Sequence, residues 1–561
     1  MTTGLTFLRW MDHHPLVYLG LAGSIIGFAL MRAVAPLLRG TADGPRRHDW
    51  RWGLVILATL AAGRWPSLIY TRGLNPDESQ LLAGAHALVA DPVFWRSVNG
   101  GTAGPLDFFA LWPAGWVFGW DTFFTARLTA LILLAISLTL AHQVMAVMLG
   151  RPAARLASLA ALPLEALTHA VDFVHYSTEL IPVALLSGAA YAALRRWALA
   201  GGPLWSGLGG LLLGAVPFAK LQPAPLALGL GICWLLAEIR AQGADAVRHR
   251  VYLAGGALLT AALFACQLTV AGEWRSFFIS YVAFNFSYAA EGVAAATIRD
   301  ASLQMLKNSL VWDSLLALTL VAGLAWLVLL VRVRAHPDRT IRIFTWIVTG
   351  VFAASVVLII VPRRPYLHYW QLLLVPAVLL LGVMIARLLT SSAPERRKRD
   401  QWLVAVSALG FVALLLQHRG RYPNLFVGEM AYFWQFNRSD LAMRVAARAR
   451  PGDGLAIWGR ADHLFVETGL RQATRDSHIA GLVAAGPHQQ YLRERYLVDL
   501  VRNKPAVFLD ATCPAAFDFR TPEFAHDRIY PDLAAVIRAN YVLVDEFAQA
   551  RIYQRRDLVA R

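Results

Sequence analysis

The sequence predicts a polytopic α-helical membrane protein with a small α/β domain at its C-terminal end. Hydrophobic residues make up 57% of the 561 residues and charged residues only 16%, whereas an ordinary soluble domain has about 25% charged residues. Apolar runs long enough to span a bilayer recur throughout residues 1–417. Over residues 418–561 the pattern changes to short strand-like runs and amphipathic stretches, which predicts a separate domain outside the membrane.

The apolar runs predict about twelve membrane-spanning helices, because a bilayer core needs roughly 20 apolar residues in helical form. The two shortest neighbouring runs are also compatible with one re-entrant pair. The runs cover residues 16–38, 52–70, 122–148, 154–171, 180–199, 203–220, 223–239, 251–271, 310–331, 343–361, 370–389 and 401–417.

The basic residues predict the orientation of these spans. The formal net charge is +16, but it does not indicate nucleic-acid binding, since the basic residues lie mostly in short loops between apolar runs. One alternate set of loops carries about twenty basic residues and the other about nine, so the positive-inside rule makes the richer set cytoplasmic. The loops at 71–121 and 271–309, and everything after residue 418, are therefore expected on the outer face.

Local patterns predict the elements of these outer regions. In the 71–121 loop, SQLLAGAHALVADPVFW and the aromatic-rich PLDFFALWPAGWVFGW have the character of short helices at the headgroup level. In the C-terminal region, GLAIWG, PAVFLDA and YVLVDEF predict β-strands. The stretch HQQYLRERYLVDLVRN predicts an amphipathic helix between them.

Two adjacent carboxylates, Asp77 and Glu78 in NPDESQ, follow the second span on the predicted outer face. A carboxylate in this place can serve as a general base for a hydroxyl acceptor, or as a metal ligand. An acidic pair after Pro76 and before an apolar run is equally typical of a helix N-terminus. This stretch alone leaves both interpretations open.

The next outer turn, HAVDFVHYSTEL at residues 169–180, concentrates polar side chains between two spans. If the turn is helical, these side chains share one face and line a cavity at the mouth of the bundle. A solvated loop with snorkelling side chains is the alternative, and no HExxH-type spacing supports a zinc site. The residues concerned are Asp172, His175, Tyr176 and Glu179.

Basic residues on the predicted outer face form a candidate anion site. Lys220 lies between two spans, where a lysine is costly without an anionic partner. Arg363 and Arg364 precede His368 and Tyr369 at the start of a later span, and two arginines provide forked donors that suit phosphate oxygens. Snorkelling of the lysine, and contact of the arginines with lipid headgroups, are the alternatives.

This ordered set resembles the GT-C glycosyltransferases that use polyprenyl-phosphate sugars, a group that contains protein O-mannosyltransferases and the aminoarabinose transferase of lipid A. NPDESQ resembles the acidic pair in that family's first outer loop, and residues 101–134 resemble its Gly-Pro-Leu loop with the span that follows near Arg127. DFVHYSTELIPVALL is similar to the second outer turn, and RRPYLHYWQLLLVPAVLLL to the late arginine-containing segment. VETGLRQATR resembles outer-domain sequences of bacterial members. The likeness covers most of the chain, although each motif is short.

The resemblance implies an inverting transfer of a sugar from a polyprenyl-phosphate donor at the outer face of a bacterial cytoplasmic (inner) membrane. The acceptor would be a lipid, a glycan or a protein. By the same resemblance, Asp77 is the catalytic base or orients the acceptor, and Glu78 supports Asp77 and its loop. Asp172 resembles a second acidic position near the acceptor or a metal, with Glu179 as the alternative for that position.

The resemblance also implies a donor-phosphate site and the partners of the protein. Lys220, Arg363 and His368 would hold the phosphate, with Arg364 and Tyr369 as neighbours. No cofactor is required, because a lipid phosphate is itself a fair leaving group, although a divalent ion at Asp77 or Asp172 would add charge stabilisation. Expected partners are the lipid-linked donor, membrane lipids and the acceptor, and no nucleic acid.

Three other functions compete with this interpretation. A lipid or polysaccharide transporter would have ionisable residues near the bilayer midplane and inverted repeats, but here such residues gather at the predicted outer ends of spans and only Arg64 lies within a run. An O-antigen-type polymerase or ligase would place its main chemistry in a large late outer loop rather than at an early acidic pair. A membrane-anchored sensor would need far fewer spans.

Overall fold

The structure of the chain, a computed structural model, contains two compact units that are interleaved along the sequence. The helical unit comprises Met1–Leu68, Ala130–Phe264 and Tyr288–Trp434, and the sheet unit comprises Ile69–Thr129, Ala265–Ser287 and Gln435–Arg561. The structure describes residues 15–38, 47–70, 72–168, 171–241, 243–312, 323, 338–389, 439–514 and 516–559.

The described part of the helical unit is α-helical, with single turns of 3₁₀ helix at Val216–Phe218 and Leu367–Trp370. Four of its helices share residues with the sheet unit, because the boundary between the units falls inside them. The α-helices are Pro15–Leu38, Trp50–Ile69, Phe123–Met148, Arg151–Ala166, Val171–Val174, Leu180–Trp197, Pro203–Ala215, Ala224–Arg240, Ala244–Ala271, Phe284–Ala295, Ile298–Trp312, Arg339–Ile360 and Gln371–Leu389.

Among the described residues, five helices are long and apolar enough to cross a membrane. Each coincides with a span predicted from the sequence, whereas other predicted spans coincide with helices that are shorter or less apolar. The run at 401–417 and most of the run at 310–331 lie outside the described residues, so the number of twelve stays a prediction. The five segments are Trp50–Ile69, Phe123–Met148, Asp245–Ala271, Arg339–Ile360 and Leu367–Arg387.

Close packing inside the helical unit explains the charge within the second predicted span. Arg64 is 4% exposed, and its Nη2 donates to a carboxylate oxygen of Glu165 at 2.8 Å. Its Nε also donates to the backbone carbonyl of Glu165 at 2.9 Å. A side chain on Gly63 would lie 2.5 Å from the carbonyl oxygen of Ala166, so glycine allows the close approach that this buried ion pair requires.

The sheet unit is built on a five-stranded mixed sheet with the order β2-β1-β3-β5-β4. The β1 strand pairs in parallel with β2 and β3, whereas β5 runs antiparallel to β3 and β4. Every residue of β3, and every residue of β1 after its first, is buried, as expected for the interior strands of a covered sheet. The strands are β1 Gly454–Gly459, β2 Arg471–Gln472, β3 Val507–Ala511, β4 Tyr541–Phe547 and β5 Ala550–Arg555.

The three strands predicted from GLAIWG, PAVFLDA and YVLVDEF are confirmed, and so is the helix at Gln489–Asn503. The remaining helices of this unit are short, and Phe278–Ala283 is a π-helical turn. The other described helices of the sheet unit are Pro76–Ala90, Phe94–Ser97, Pro105–Phe109, Trp112–Phe118, Trp274–Phe277, Asp440–Ala446, His463–Thr468, Ala480–Val483, His526–Ile529, Pro531–Asn540, Arg556–Val559 and the 3₁₀ turn Pro522–Phe524.

The helix that carries the acidic pair shares a hydrophobic core with the sheet. Ala83 of the Pro76–Ala90 helix packs in one buried cluster with Leu464, Phe465 and residues of β1 and β3. Polar contacts add to this core, since Arg475 donates to the backbone carbonyl of Trp95 at 3.1 Å. The 71–121 loop therefore belongs to the same compact unit as the C-terminal region. The domain boundary predicted at residues 417 and 418 lies outside the described residues and stays a prediction.

Candidate functional site

The acidic pair lies in the first turn of the Pro76–Ala90 helix, in the sheet unit. The side chain of Asn75 caps this helix by accepting from the backbone N–H of Asp77 at 2.9 Å, and Pro76 occupies the first helical position. The interpretation of NPDESQ as a helix N-terminus is therefore correct. That structure fixes both carboxylates at the start of the helix, where negative charge is favourable, and it does not exclude a chemical role for either.

Glu78 is completely buried in an ion pair with Arg127. The Nε and Nη2 of Arg127 donate to the two carboxylate oxygens of Glu78 at 3.1 and 3.0 Å, and both side chains are at most 1% exposed. Arg127 also donates to the backbone carbonyls of Tyr70 and Arg72, at the start of the 71–121 loop. A carboxylate held in this way fixes the loop and is not accessible to an acceptor hydroxyl.

Asp77 is the accessible member of the pair, with a side chain that is 39% exposed. Its Oδ1 lies 3.4 Å from Nη2 of Arg460, whose Nη1 donates to Asp518 at 2.7 Å. Burial alone would lower the pKa of Arg460, but the carboxylates of Asp462, Asp77 and Asp518 raise it above its usual value. Arg460 is therefore a permanent cation beside Asp77.

The same region contains a buried carboxylate that none of the candidate motifs includes. Asp462 is 2% exposed, and neither of its carboxylate oxygens has a hydrogen-bond partner among the described residues. His478, whose pKa is lowered by burial, interacts electrostatically with Asp462, Arg460 and Asp77. A signal was present in the sequence, because Arg460 and Asp462 directly follow β1, and functional side chains commonly follow the carboxyl ends of parallel strands.

A second group of predicted residues lies within the helical unit, and we call it the Lys220 cluster: Asp172, His175, Glu179, Lys220, His368 and Tyr369. Lys220 is 3% exposed and forms an ion pair with the fully buried Glu179. Its Nζ also donates to Thr178 Oγ1 at 2.7 Å and lies 4.8 Å from the centre of the Tyr369 ring. The anionic partner that a buried lysine requires is therefore supplied by the protein itself, through Glu179.

The imidazole of His368 is placed between the acidic residues of this cluster. Its Nδ1 lies 3.8 Å from Asp172 Oδ2, and its ring is stacked against Tyr366 and perpendicular to Tyr369. The Gln371 amide donates to the backbone carbonyl of Asp172 at 3.3 Å, which holds the two segments together. The rings of His175 and His368 are also perpendicular, with centres 6.1 Å apart.

The structure does not have the continuous helix on which the shared face of residues 172–179 depends, although Asp172, His175 and Glu179 do come together around His368 and Lys220. The structure has one turn of helix at Val171–Val174 and the next helix begins at Leu180, with no helix between them. Within that turn, the His175 ring Nδ1 contacts the carbonyl of Val171 at 2.7 Å. Ser177 and Thr178 also disfavour a helix here, because serine and threonine side chains compete for backbone hydrogen bonds. Tertiary contacts with Lys220 and His368 gather the polar residues instead.

Arg363 and Arg364 bind mainly to the end of the Phe284–Ala295 helix. Nη1 of Arg363 donates to the carbonyls of Val293 and Ala296 at 2.8 and 2.9 Å. Nη2 of Arg364 donates to the carbonyl of Tyr288 at 2.9 Å and to Glu291 at 3.1 Å. Among the described residues, Nη2 of Arg363 has no hydrogen-bond partner, so this arginine retains a donor for an external anion.

The structure also bears on which residues could hold a metal. Within the described residues, one group of three His, Asp or Glu side chains is close enough to share an ion, and it consists of Asp510, His526 and Asp527. Arg551 already donates to both carboxylates of this group, at 2.6 Å to Asp510 and 2.8 Å to Asp527. Asp77 and Asp172 do not belong to the group. The guanidinium of Arg460 lies beside Asp77 instead.

Comparison with known proteins bears on the fold. No protein-family model matches the sequence, and no curated protein matches it. Among solved structures, ArnT from Cupriavidus metallidurans bound to undecaprenyl phosphate aligns with 90% of this chain and 97% of its own, with a TM-score of 0.54 and 13% identity. The apo state of the same protein aligns with 90% and 98%, with a TM-score of 0.53 and 14% identity.

The chain has the fold of ArnT. ArnT is an aminoarabinose transferase of the GT-C group, so the GT-C-like fold predicted from the short motifs is confirmed. At 13–14% identity, the likeness concerns the fold and leaves the chemistry to be argued from this chain's own residues.

Proposed function

We propose that this chain is an integral membrane glycosyltransferase. It transfers a sugar, with inversion, from a polyprenyl-phosphate donor to a hydroxyl group of a lipid, glycan or protein acceptor at the outer face of the cytoplasmic membrane. The observation that carries this proposal is that the two carboxylates of the acidic pair differ in burial and in their partners. Glu78 forms a buried ion pair with Arg127, whereas Asp77 is accessible and contacts Arg460. The chain also has the fold of ArnT, which was solved with a bound polyprenyl phosphate.

The proposed reaction is a single displacement at the anomeric carbon. The acceptor oxygen attacks this carbon while its proton passes to the carboxylate of Asp77. The bond between the anomeric carbon and the phosphate oxygen breaks, and the electron pair leaves with the polyprenyl phosphate. One displacement inverts the anomeric configuration, so no covalent sugar–enzyme intermediate is formed.

The Lys220 cluster provides groups that suit the phosphate of the donor. An ammonium has three donors, and Thr178 and Glu179 engage two of those of Lys220. We assign the remaining donor, together with His368 and the free Nη2 of Arg363, to the phosphate oxygens. Cationic donors in a site that excludes water stabilise the charge that develops on a leaving phosphate. In ArnT, undecaprenyl phosphate is the bound lipid, which supports a lipid of this class as the partner.

We infer that the reaction needs no resident metal ion. The charge on the leaving group is offset by Lys220 and Arg363, and the neighbour of Asp77 is the guanidinium of Arg460 at 3.4 Å. A divalent ion bound to Asp77 would have to compete with Arg460, and one bound to Asp172 would have to compete with His368. Treatment of the purified protein with a chelator should therefore leave transfer unchanged.

Mass spectrometry of envelope glycolipids and polysaccharides tests the proposal directly. Cells of the native host would carry the wild-type chain, a deletion, Asp77→Asn, or the control Asp518→Asn, with membrane levels of the protein matched by blot. The proposal expects one envelope component to lose a single sugar in the deletion and in Asp77→Asn only. Asp518 contacts the same arginine, so the control retains that sugar.

Two outcomes of this experiment contradict the proposal in different ways. If the sugar is lost in the deletion but retained in Asp77→Asn, Asp77 is not the catalytic base. An envelope that is unchanged in the deletion contradicts transferase activity as a whole and favours the transporter.

A further inference from the structure

The helical unit contains a polar cavity that the proposed transfer does not use. The cavity has a volume of about 410 Å³ and lies where Trp50–Ile69 and Arg151–Ala166 begin, beside the Pro15–Leu38 helix. Arginines dominate its lining, and the positive-inside count predicts these helix ends on the cytoplasmic side. The lining residues used below are Arg32, His48, Asp49, Arg51, Arg151 and Arg155.

The cavity carries an excess of positive charge. The one carboxylate among the described residues that line it, Asp49, is already paired, because Arg155 Nε lies 2.7 Å and His142 Nε2 lies 3.5 Å from its Oδ2. These two contacts lower the pKa of Asp49 well below its usual range, against the effect of burial. Among the described residues, Arg32, Arg51 and Arg151 have no carboxylate partner.

Several polar groups at the cavity also lack partners. Both ring nitrogens of His48 and the Nε of Arg151 are buried without a hydrogen-bond partner among the described residues. Burial lowers the pKa of His48, and the charges of Arg195 and Arg151 act in the same direction against an opposing interaction with the side chain of Gln143. The neutral ring has one donor and one acceptor nitrogen. Two helices begin at this point, and their N-terminal N–H groups add to the positive potential.

We propose that this cavity binds the phosphate of an anionic membrane lipid. Arginine is the side chain best suited to phosphate, because its fork of donors matches the oxygens of the group. Basic pockets between membrane helices on the cytoplasmic side are suited to acidic lipid headgroups. A bound phosphate offsets the charges of Arg32, Arg51 and Arg151, which have no carboxylate partner in the part of the chain that the structure describes.

The surface beside the cavity favours a lipid over a free anion. Phe28 lies one turn before Arg32 on the same helix and is 51% exposed, and Leu54 lies one turn after Arg51 and is 69% exposed. Trp50, also at the cavity, is 49% exposed, which is typical of a ring at the headgroup level. A phosphate in the cavity can therefore have its acyl chains against apolar side chains of the same helices.

Lipid binding to the purified full-length protein tests this proposal. The probes are dioleoylphosphatidylglycerol, dioleoylphosphatidylcholine and inorganic phosphate, each added to delipidated protein in detergent, with bound lipid counted by native mass spectrometry. The cavity variant is Arg32→Gln/Arg51→Gln. The matched control is Arg240→Gln/Arg248→Gln, which removes two other exposed arginines from loops predicted on the same side.

We expect phosphatidylglycerol to bind the wild type more tightly than phosphatidylcholine. The cavity variant should lose roughly ten-fold in phosphatidylglycerol affinity for each arginine removed, while the control variant binds as the wild type does. Equal binding to both variants would overturn the proposal. Displacement of phosphatidylglycerol by inorganic phosphate at the same concentration would contradict the lipid as ligand and assign the cavity to a free anion.

Discussion

Arg460 contacts two carboxylates at once, Asp77 at 3.4 Å and Asp518 at 2.7 Å. Because Arg460 directly follows β1, this contact connects the start of the Pro76–Ala90 helix with the sheet. The accessible carboxylate of the acidic pair is thus positioned by a residue from the C-terminal part of the chain. Asp518 provides a control, since it shares the arginine but is not assigned to the chemistry.

Asp77→Asn should reduce the rate of transfer by about 10²–10⁴-fold, because a general base contributes that range. The protein should remain folded, since Asp77 is partly exposed and its ion pair with Arg460 is long, at 3.4 Å. Asp518→Asn should change the rate by less than about ten-fold. Equal losses in the two variants would indicate that both act through Arg460 and that Asp77 has no separate role as base.

Glu78→Gln should destabilise the protein rather than alter the chemistry selectively. Removing one member of a buried ion pair costs about 3–5 kcal/mol, because the other charge remains buried. Here the remaining charge is Arg127, which is 1% exposed. A melting curve of the purified protein measures the loss. The double variant Glu78→Gln/Arg127→Met should recover part of it, and a single variant that melts like the wild type would contradict this role.

Lys220→Met should leave Glu179 buried without its cation and lower the melting temperature. The double variant Lys220→Met/Glu179→Gln should regain stability, since neither charge then remains. Use of the lipid-linked sugar should stay impaired in both variants, because the ammonium that binds its phosphate is absent. Measurement of KM for the lipid donor beside the melting curve separates the two effects. Full transfer activity in the stable double variant would contradict the assignment of Lys220 to the phosphate.

Arg363 has a backbone φ of 51°, in the left-handed region that costs a non-glycine residue about 1–2 kcal/mol. Arg363→Gly and Arg363→Ala both remove the guanidinium that donates to Val293 and Ala296. We expect the glycine variant to be more stable than the alanine variant by about 1 kcal/mol. Denaturant or thermal unfolding measures the difference, and equal stability would show that the strain at this residue is negligible.

The stability of the sheet unit should fall as the pH is lowered from 6.5 to about 4. Burial and the charge of Arg471 lower the pKa of His86 from 6.5 to about 4, against a smaller opposing effect of Asp121. In this range the unfolded chain binds a proton at His86 that the folded chain does not, so stability decreases with decreasing pH. His86→Phe retains the stacking on Trp120, with ring centres 5.7 Å apart. The variant should flatten the dependence of melting temperature on pH, and an unchanged slope would contradict this origin.

Patterns with a strong local signal could be read from the sequence. The five membrane-capable helices and the strands β1, β3 and β4 were predicted, because long apolar runs and β-branched or aromatic runs bounded by polar residues are local properties. The β2 and β5 strands were missed. Arg471–Gln472 is only two residues long, and ARIYQR carries two arginines and no continuous apolar pattern.

The partners of the predicted residues could not be read in the same way. Nothing in NPDESQ distinguishes Asp77 from Glu78, because burial of Glu78 depends on Arg127, 49 residues later. The position of Lys220 predicts an anionic partner but does not identify it, and tertiary packing brings Glu179 to the lysine. Arg460 and Asp462 lie in a region that was predicted only as a domain, since their significance comes from contacts between distant segments.

Transferase activity is tested most directly by following the lipid donor itself. Purified wild-type protein, Asp77→Asn or Asp518→Asn would be incubated with a lipid extract from the deletion strain, which should contain unused donor and unmodified acceptor. We predict that the wild type and Asp518→Asn consume one polyprenyl-phosphate sugar and release polyprenyl phosphate, as mass spectrometry would record, while Asp77→Asn does not. If no polyprenyl-phosphate sugar is consumed by folded wild-type protein, the chain is not a transferase of this class.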